Sequence, residues 1–404
     1  MKVRNCLVAQ SGGPTAAINS TLAGVCSGAV KNSSIEKIYG GLNGIEGILQ
    51  EKIIDLSEIF GGENLELLTT TPSSFLGSCR YKIKKEDFES LFKVFEKYSI
   101  KYFFYIGGND SMDTILQLKE YQKVNGGDMI FVGVPKTIDN DLTCIDHTPG
   151  FGSAAKYIAT SVKEIYLDAC VYDMDSIVIV EVMGRNAGWL ALAATLARDL
   201  NGNPCADLIY LPENTFDYDK FVEDVKRVQE NKKQIVIVVS EGIKNAEGKI
   251  IAETGEKDNF GHGQLGGAGK HVEAELKRRI PKIKTRTVEL SVLQRSAGHI
   301  LSARDINEGI MIGEKAVLVA LEGNSGVMVT SERIMSSKYE LKLTCTEIEK
   351  IANKEKIVPE SFMNEKKNQA SNEALDYLKP LVEGEIYPPM VDGLPKYLFL
   401  KNLV

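Results

Sequence analysis

Tyr102-Phe103-Phe104-Tyr105-Ile106 runs directly into Gly107-Gly108-Asn109-Asp110-Ser111, and a helical pattern then extends over residues 111–121. Residues 129–134 repeat the device and end on Pro135-Lys136-Thr137-Ile138-Asp139-Asn140-Asp141. An unbroken apolar run, then glycine or proline, then a helical period is the pattern of a parallel strand feeding its crossover helix. In open sheets of that kind ligands bind beyond the carboxyl ends of the strands, so both polar stretches lie where a ligand would. Further strand patterns at 3–9, 177–182, 207–211, 235–240 and 316–321 alternate with helical ones at 15–30, 88–98, 151–167 and 219–230. The expected class is α/β with mostly parallel strands.

The residue types at these strand ends suit phosphoryl transfer to an alcohol, which needs anion cradles, a metal and a base. Ser11-Gly12-Gly13 follows the first strand pattern, and Gly107-Gly108 follows another. Each offers backbone N–H groups at a helix start, a setting that favours phosphate. Lys136 supplies a cation, and Asp139 and Asp141 are carboxylates near the same edge, able to accept a hydroxyl proton beside phosphate and Mg²⁺. A turn is the plain alternative for Asp139-Asn140-Asp141. Arg185 also follows a strand pattern, where a guanidinium can clamp a phosphate. Arg286 and Gln294-Arg295 add cations late in the chain.

Composition bounds the rest. The chain has 404 residues, enough for two or three compact units. Its net charge of −7 provides no global basic field, so neither nucleic acid nor an anionic membrane is expected as a partner. Seven scattered cysteines without C-x-x-C argue against a disulfide framework or zinc site and fit a reducing cytoplasm. No signal peptide or membrane-spanning run is apparent, and a cytoplasmic location is expected. Gly261-His262-Gly263-Gln264-Leu265-Gly266 matches a dinucleotide fingerprint, but it follows a polar loop rather than a strand and reads as a surface loop.

Taken in order, S-G-G, F-L-G-S-x-R (Phe75 to Arg80), G-G-N-D-S, P-K-T-I-D-N-D, E-V-M-G-R (Glu181 to Arg185), S-E-G (Ser240 to Gly242) and Q-R (Gln294, Arg295) resemble the phosphofructokinases over roughly residues 3–340. The resemblance implies two doubly wound, mostly parallel α/β domains with the active site in the cleft between them. It places a donor-binding domain at 1–145, completed by about 294–345, a sugar-phosphate domain at 146–293, and a proline-containing extension at 346–404. It implies that Asp139 is the base for the sugar 1-hydroxyl, with Thr137, Ile138 and Asp141 beside it. Met183, Gly184 and Arg185 would hold substrate and the transferring phosphoryl. Glu241 would accept from a sugar hydroxyl, and Arg286 and Arg295 would bind the sugar phosphate. Gly12, Gly13, Arg80, Gly108 and Ser111 belong to the donor side.

Within this resemblance, ATP-using members usually have glycine at the position of Asp110. A carboxylate there opposes a nucleotide's α-phosphate, while Lys136 helps neutralise pyrophosphate. The pair is the pattern of the pyrophosphate-dependent branch. The implied substrates are pyrophosphate and fructose 6-phosphate, the cofactor is Mg²⁺, and the expected assembly is a homodimer or homotetramer. An ATP-dependent enzyme, a kinase preferring sedoheptulose 7-phosphate and a non-catalytic sensor are the alternatives. Asn109 replaces an aspartate usually associated with magnesium, leaving Asp110, Asp139 and Asp141 as the acidic candidates for the metal. Val292 and Ser176 replace a histidine and an arginine of the usual sugar-phosphate pocket.

Overall fold

Alternate residues of the strand at 100–107 feed two separate cores, and this division organises the first of two units. In the computed structural model, which describes residues 4–57, 59–60, 62–257, 263–265, 267–334 and 338–403, the first unit comprises Met1–Ser153, Arg295–Glu355 and Gly384–Val404. The chain begins β1 (Asn5–Gln10), α1 (Ala16–Val30), β2 (Ile38–Gly41), α2 (Gly44–Leu49), β3 (Ile53–Asp55) and α3 (Glu63–Thr70). It continues with α4 (Phe88–Lys97), β4 (Ile100–Gly107), α5 (Asn109–Asn125) and β5 (Ile130–Pro135). Helix α6 (Phe151–Ala169) then carries the chain into the second unit.

That unit comprises Ala154–Gln294 and Lys356–Glu383. It contains β6 (Ser176–Val182), α7 (Trp189–Ala193), β7 (Leu208–Tyr210), α8 (Tyr218–Gln229) and β8 (Gln234–Ser240). A hairpin of β9 (Glu253–Lys257) and β10 (Gly263–Leu265) precedes α9 (Ala268–Arg279), β11 (Lys284–Glu289) and α10 (Leu293–Ser296). Back in the first unit come β12 (Leu301–Ser302), α11 (Ala303–Leu321), β13 (Val327–Ile334) and β14 (Glu340–Glu347). Val3, Gly261, His262 and Gly266, parts of the expected first strand and of the glycine motif, lie outside the described residues.

The first sheet has seven strands in the order β14-β13-β5-β4-β1-β2-β3, with parallel pairing throughout except at β13–β14 and β2–β3. Cys6, Val8, Tyr102, Phe104 and Ile106 pack on one face against Ile18, Leu22 and Val25 of α1. Leu7, Ala9, Phe103 and Tyr105 pack on the other against α4 and α5. Such two-sided burial explains why the strands read as continuous apolar runs. The second sheet is parallel, in the order β11-β6-β8-β7. Its inner residues Ile177, Ile179, Ile235, Ile237 and Val239 pack with α8 and α9.

Residues 316–321, expected as a strand, are instead the last turns of α11. Their uninterrupted apolar character reflects a helix buried against α1, where the backbones nearly touch. A Cβ on Gly24 would stand 2.1 Å from Ile310 O, and one on Gly313 would stand 2.3 Å from Thr21 O. The strand that joins the sheet here is β13, paired with β5. The C-terminal residues divide between the units: 356–383 belong to the second, while 384–404 return to the first, where β12 pairs with β15 (Glu385–Ile386). Among the described residues no helix is long and apolar enough to cross a membrane.

Candidate active site

In the first unit the chain leaves β1 toward β2 on one side and later places β4 on the other, so the ends of β1 and β4 flank a topological switch point. Their register brings Gln10 opposite Ile106, and Gly107 opposite Pro135, so three loops start from one level of the sheet. The first is Ser11–Pro14, ahead of α1, whose N-cap Thr15 accepts from Ile18 N at 3.1 Å. Gly12 has φ +78°, a left-handed backbone suited to glycine. A Cβ at Gly12 would lie 3.4 Å from Lys136 Nζ and 4.0 Å from Gly108 N, and one at Gly13 would lie 3.3 Å from Arg295 Nη1. Glycines therefore keep open a small space faced by an ammonium, a guanidinium and a helix-start N–H. That space suits a phosphate.

Lys136 is 1% exposed and donates from Nζ to Gly13 O at 2.6 Å. Burial, opposed by Asp139 and reinforced by Arg295, lowers its pKa to about 8. The sign of the consequence is fixed. Between about pH 8 and its ordinary value the unfolded chain holds the proton more tightly than the folded one, so stability attributable to this group rises with pH there. Below about pH 8 the full penalty applies, on the order of 3 kcal/mol at 1.36 kcal/mol per pKa unit. Lys136→Met should therefore raise stability against urea at pH 7, with the advantage shrinking as pH rises through that window. A variant less stable than the parent at pH 7 would contradict this account of the buried charge.

The donor-side residues gather around the same turn. Buried Gln10 accepts from Leu76 N at 2.8 Å and from Ser74 Oγ at 2.9 Å, which seats the 74–80 loop beside β1. Ser78 Oγ donates to Gly12 O at 2.9 Å, and exposed Arg80 follows two residues later. Ser111 is 2% exposed, with its hydroxyl packed back on Gly107, so it shapes the turn from inside. Asp110 is exposed in the first turn of α5. Asn109 uses both ends of its amide on a neighbouring turn: Nδ2 donates to Lys354 O at 2.6 Å and Oδ1 accepts from Asn353 N at 2.7 Å. An aspartate could make the second bond and not the first.

After β5, Thr137 and Ile138 are buried while Asp139 and Asp141 are half-buried. Asp139 N donates to Thr137 Oγ1 at 3.1 Å. Asn140 is fully buried at φ +53°, a conformation asparagine tolerates better than most residues, and its Oδ1 accepts from Thr148 N at 3.1 Å. Both carboxylates are close enough to Lys136 to raise its pKa. Among the described residues no group of three or more His, Cys, Asp or Glu could hold a metal. Magnesium commonly takes one or two carboxylates and completes its shell with water and substrate phosphates, so carboxylates beside an anion cradle suit it.

In the second unit the loops after β6 and β8 interlock. Glu241 N donates to Val182 O at 2.9 Å, Gly184 N donates to Glu241 Oε1 at 3.3 Å, and Ser240 Oγ bonds Gly184 O. A Cβ on Gly242 would stand 1.9 Å from Arg185 O, which is why glycine follows Glu241. Met183 N donates to Gln294 Oε1 at 3.1 Å. Met183, Gly184, Arg185 and Glu241 are thus one group at one sheet edge. Arg286 is not part of it. It pairs with Val178 in the strand register, about 13 Å before the end of β6 at ~3.3 Å per residue. There it is half exposed, ion-paired with Asp168, and lines a cavity of about 60 Å³ with Tyr172 and Met174. Arg295 lies in the first unit beside Gly13 and Lys136.

Comparison with known proteins agrees with this geometry. The family model described as Phosphofructokinase matches residues 5–320. The pyrophosphate–fructose 6-phosphate 1-phosphotransferase of Methylococcus capsulatus is 40% identical over 411 residues, spanning 100% of this chain and 97% of the relative. That of Xanthomonas campestris pv. campestris is 41% identical, spanning 99% and 96%. A crystal structure of pyrophosphate-dependent phosphofructokinase from Nitrosospira multiformis matches with a TM-score of 0.89 at 39% identity, covering 98% of this chain and 96% of the other. With its strand-end motifs in place and its whole length matched, the chain belongs to the phosphofructokinase family.

Proposed function

We propose that this chain is a pyrophosphate–fructose 6-phosphate 1-phosphotransferase, reversibly moving a phosphoryl group from pyrophosphate to the sugar 1-hydroxyl. The observation that carries the reading is the meeting of Gly12, Gly13, Gly108 N, Lys136 and Arg295 with the Asp139 and Asp141 carboxylates at one sheet edge. The Methylococcus and Xanthomonas relatives, matched over nearly their whole lengths, are named for the same donor and acceptor, which supports the reading.

In this reading Asp139 takes the proton of the 1-hydroxyl as its oxygen bonds the transferring phosphorus. The bridging P–O bond of pyrophosphate breaks, and orthophosphate leaves with the bond's electrons. Lys136 and the backbone N–H groups of the glycine turns balance charge on the donor, and Arg185 steadies the transferring group. Thr137 and Asp141 flank the base. Met183, Gly184 and Glu241 orient the sugar, and Arg80 extends the donor side. Arg295, set beside the glycine turns, adds positive charge to the phosphates. Mg²⁺ would supply charge neutralisation at the phosphates, with Asp110, exposed in the first turn of α5, as a carboxylate that could hold it; Asn109, engaged at both amide atoms, is left to its structural bonds. Asp110 disfavours a nucleotide by opposing its additional phosphate charge.

Seven free cysteines are in keeping with work in the cytoplasm. Exposed Leu167, Val171 and Tyr172, each over 60% accessible at the end of α6, favour a homo-oligomer. Phosphorus NMR of the protein with fructose 6-phosphate, pyrophosphate and Mg²⁺ tests the reaction. Fructose 1,6-bisphosphate and orthophosphate should accumulate in equal amounts, and parallel samples with sedoheptulose 7-phosphate should react less. Orthophosphate without a new sugar phosphate would sink the reading, as would exclusive reaction of the longer sugar.

A further inference from the structure

The loop that carries Asp139 is held by one buried segment. Thr137 N donates to Pro149 O at 3.2 Å, Thr148 Oγ1 donates to Thr137 O at 2.7 Å, and Thr148 N donates to Asn140 Oδ1 at 3.1 Å. A parallel bridge between Thr137 and Gly150 completes the attachment. This segment is itself clamped on both flanks from the first turns of α11. On one side His147 Nε2 lies 2.7 Å from Glu308 Oε2, and its Nδ1 lies 2.8 Å from Asp146 Oδ1. On the other, Asp305 accepts from Gly150 N at 2.8 Å and from Ser153 N at 3.0 Å. Asp146 is tied in turn to β13, accepting from Arg333 Nη2 at 3.0 Å and donating from its N to Ser331 O at 2.9 Å.

These groups are deeply buried: Thr148 and Asn140 at 0% exposure, Asp305 at 1%, His147 at 3% and Glu308 at 6%. Both ring nitrogens of His147 face carboxylates, so the ring satisfies both only by donating from both, as an imidazolium. Burial pulls its pKa down, but the two carboxylates raise it to about 9 overall. A buried ion cluster is a costly way to gain stability, since apolar packing of similar volume often serves as well or better. It does fix geometry, and what it fixes is the segment carrying every bond just described to residues 137–140.

We propose that His147, clamped by Glu308 and flanked by Asp305, is a positioning group for the base: through Thr148–Gly150 it holds the Thr137–Asp141 loop so that Asp139 meets the sugar hydroxyl. This rests on Asp139 being the base, as proposed above. His147 touches neither substrate in this scheme and acts only through the loop. A misplacement near 1 Å costs roughly a hundredfold in rate, so kcat should fall while binding contacts elsewhere survive.

The test uses the full chain with pyrophosphate, fructose 6-phosphate and Mg²⁺ at pH 7. Glu308→Ala, His147→Gln and Thr148→Val should each lower kcat by about 10- to 100-fold, with KM for both substrates changed less than about threefold. Glu308→Gln, which keeps an acceptor for the imidazole, should retain most of the parent kcat. In an Asp139→Asn background the same substitutions should lower kcat by less than about threefold, because groups acting through one residue are not additive. Additive losses in that background would overturn the proposal, as would unchanged kcat in folded variants or equal losses for Glu308→Gln and Glu308→Ala. Thr148→Val leaves the ion cluster intact and gives the result if the His147 variant does not fold. If Asp139→Asn alone retains turnover, the assignment of the base fails; if it collapses while Thr148→Val and Glu308→Ala turn over normally, only the positioning inference fails.

Discussion

Asp139→Asn should lower kcat for pyrophosphate-dependent turnover by about 10²- to 10⁴-fold, the usual cost of losing a general base, while KM for the sugar stays close to the parent value. Asparagine keeps the volume and hydrogen-bonding reach of the side chain but takes no proton at neutral pH. The backbone here is held in place, because Asp139 N bonds Thr137 Oγ1 and the adjacent Asn140 is fully buried and bonded to Thr148. The carboxylate also helps keep Lys136 charged, so its removal lowers that lysine's pKa further below about 8. Rates belong on the acid side of neutrality, which favours the ammonium and so lets the loss of the base be read with the least contribution from the lysine. Near-parent kcat would move the base to Asp141.

The second large effect concerns the donor. Asp110→Gly removes a carboxylate from the first turn of α5, beside the Gly108 cradle, and ATP-dependent activity should appear or rise. The structure exposes this carboxylate, so its opposition to a nucleotide works at the rim of the cradle by charge and bulk. Lys136→Met acts in the opposite sense. It retains an apolar stem of similar length in a fully buried position but loses the ammonium beside Gly12 and Gly13. Pyrophosphate turnover should fall by about a hundredfold or more, a typical loss for one preorganised contact to developing charge. Together with the expected gain in stability of the same variant, this gives a signature that unfolding cannot imitate: a sturdier protein that turns over poorly. Initial rates with each donor, alongside urea unfolding, check both halves. A folded Asp110→Gly protein without ATP activity would remove Asp110 from donor selection.

Much of the architecture is legible in the sequence because both sheets are covered on two faces. β1, β4, β5, β6 and β8 are built on apolar runs, broken only by Lys101 and Glu181 and by polar end residues, and the glycines and prolines that follow mark the loops that carry chemistry. The same rule misleads at 316–321, where a helix is buried against another helix. It also passes over β11, an edge strand reading Lys-Thr-Arg-Thr-Val-Glu, because exposed edges need no apolar run.

Local motifs place Gly12, Gly108, Lys136 and Asp139 near one edge, but they say nothing of which distant cation joins them. Arg295 beside Gly13 and Arg286 back along β11 differ by tertiary placement alone. The burial of Lys136 is invisible for the same reason. The clamp on the base loop is harder still to foresee. Asp146-His147 is a cue in the sequence, yet Glu308 lies 161 residues away and meets the imidazole only when α11 packs into the first unit.

The most direct test of pyrophosphate as donor is a comparison of kcat/KM for pyrophosphate and for ATP in the unmodified chain, with saturating fructose 6-phosphate and Mg²⁺ at pH 7. Lys136 beside the glycine turns and Asp110 at their rim predict that pyrophosphate is favoured by at least about a hundredfold, the scale of one well-placed charge contact. Equal use of the two donors, or preference for ATP, would contradict it.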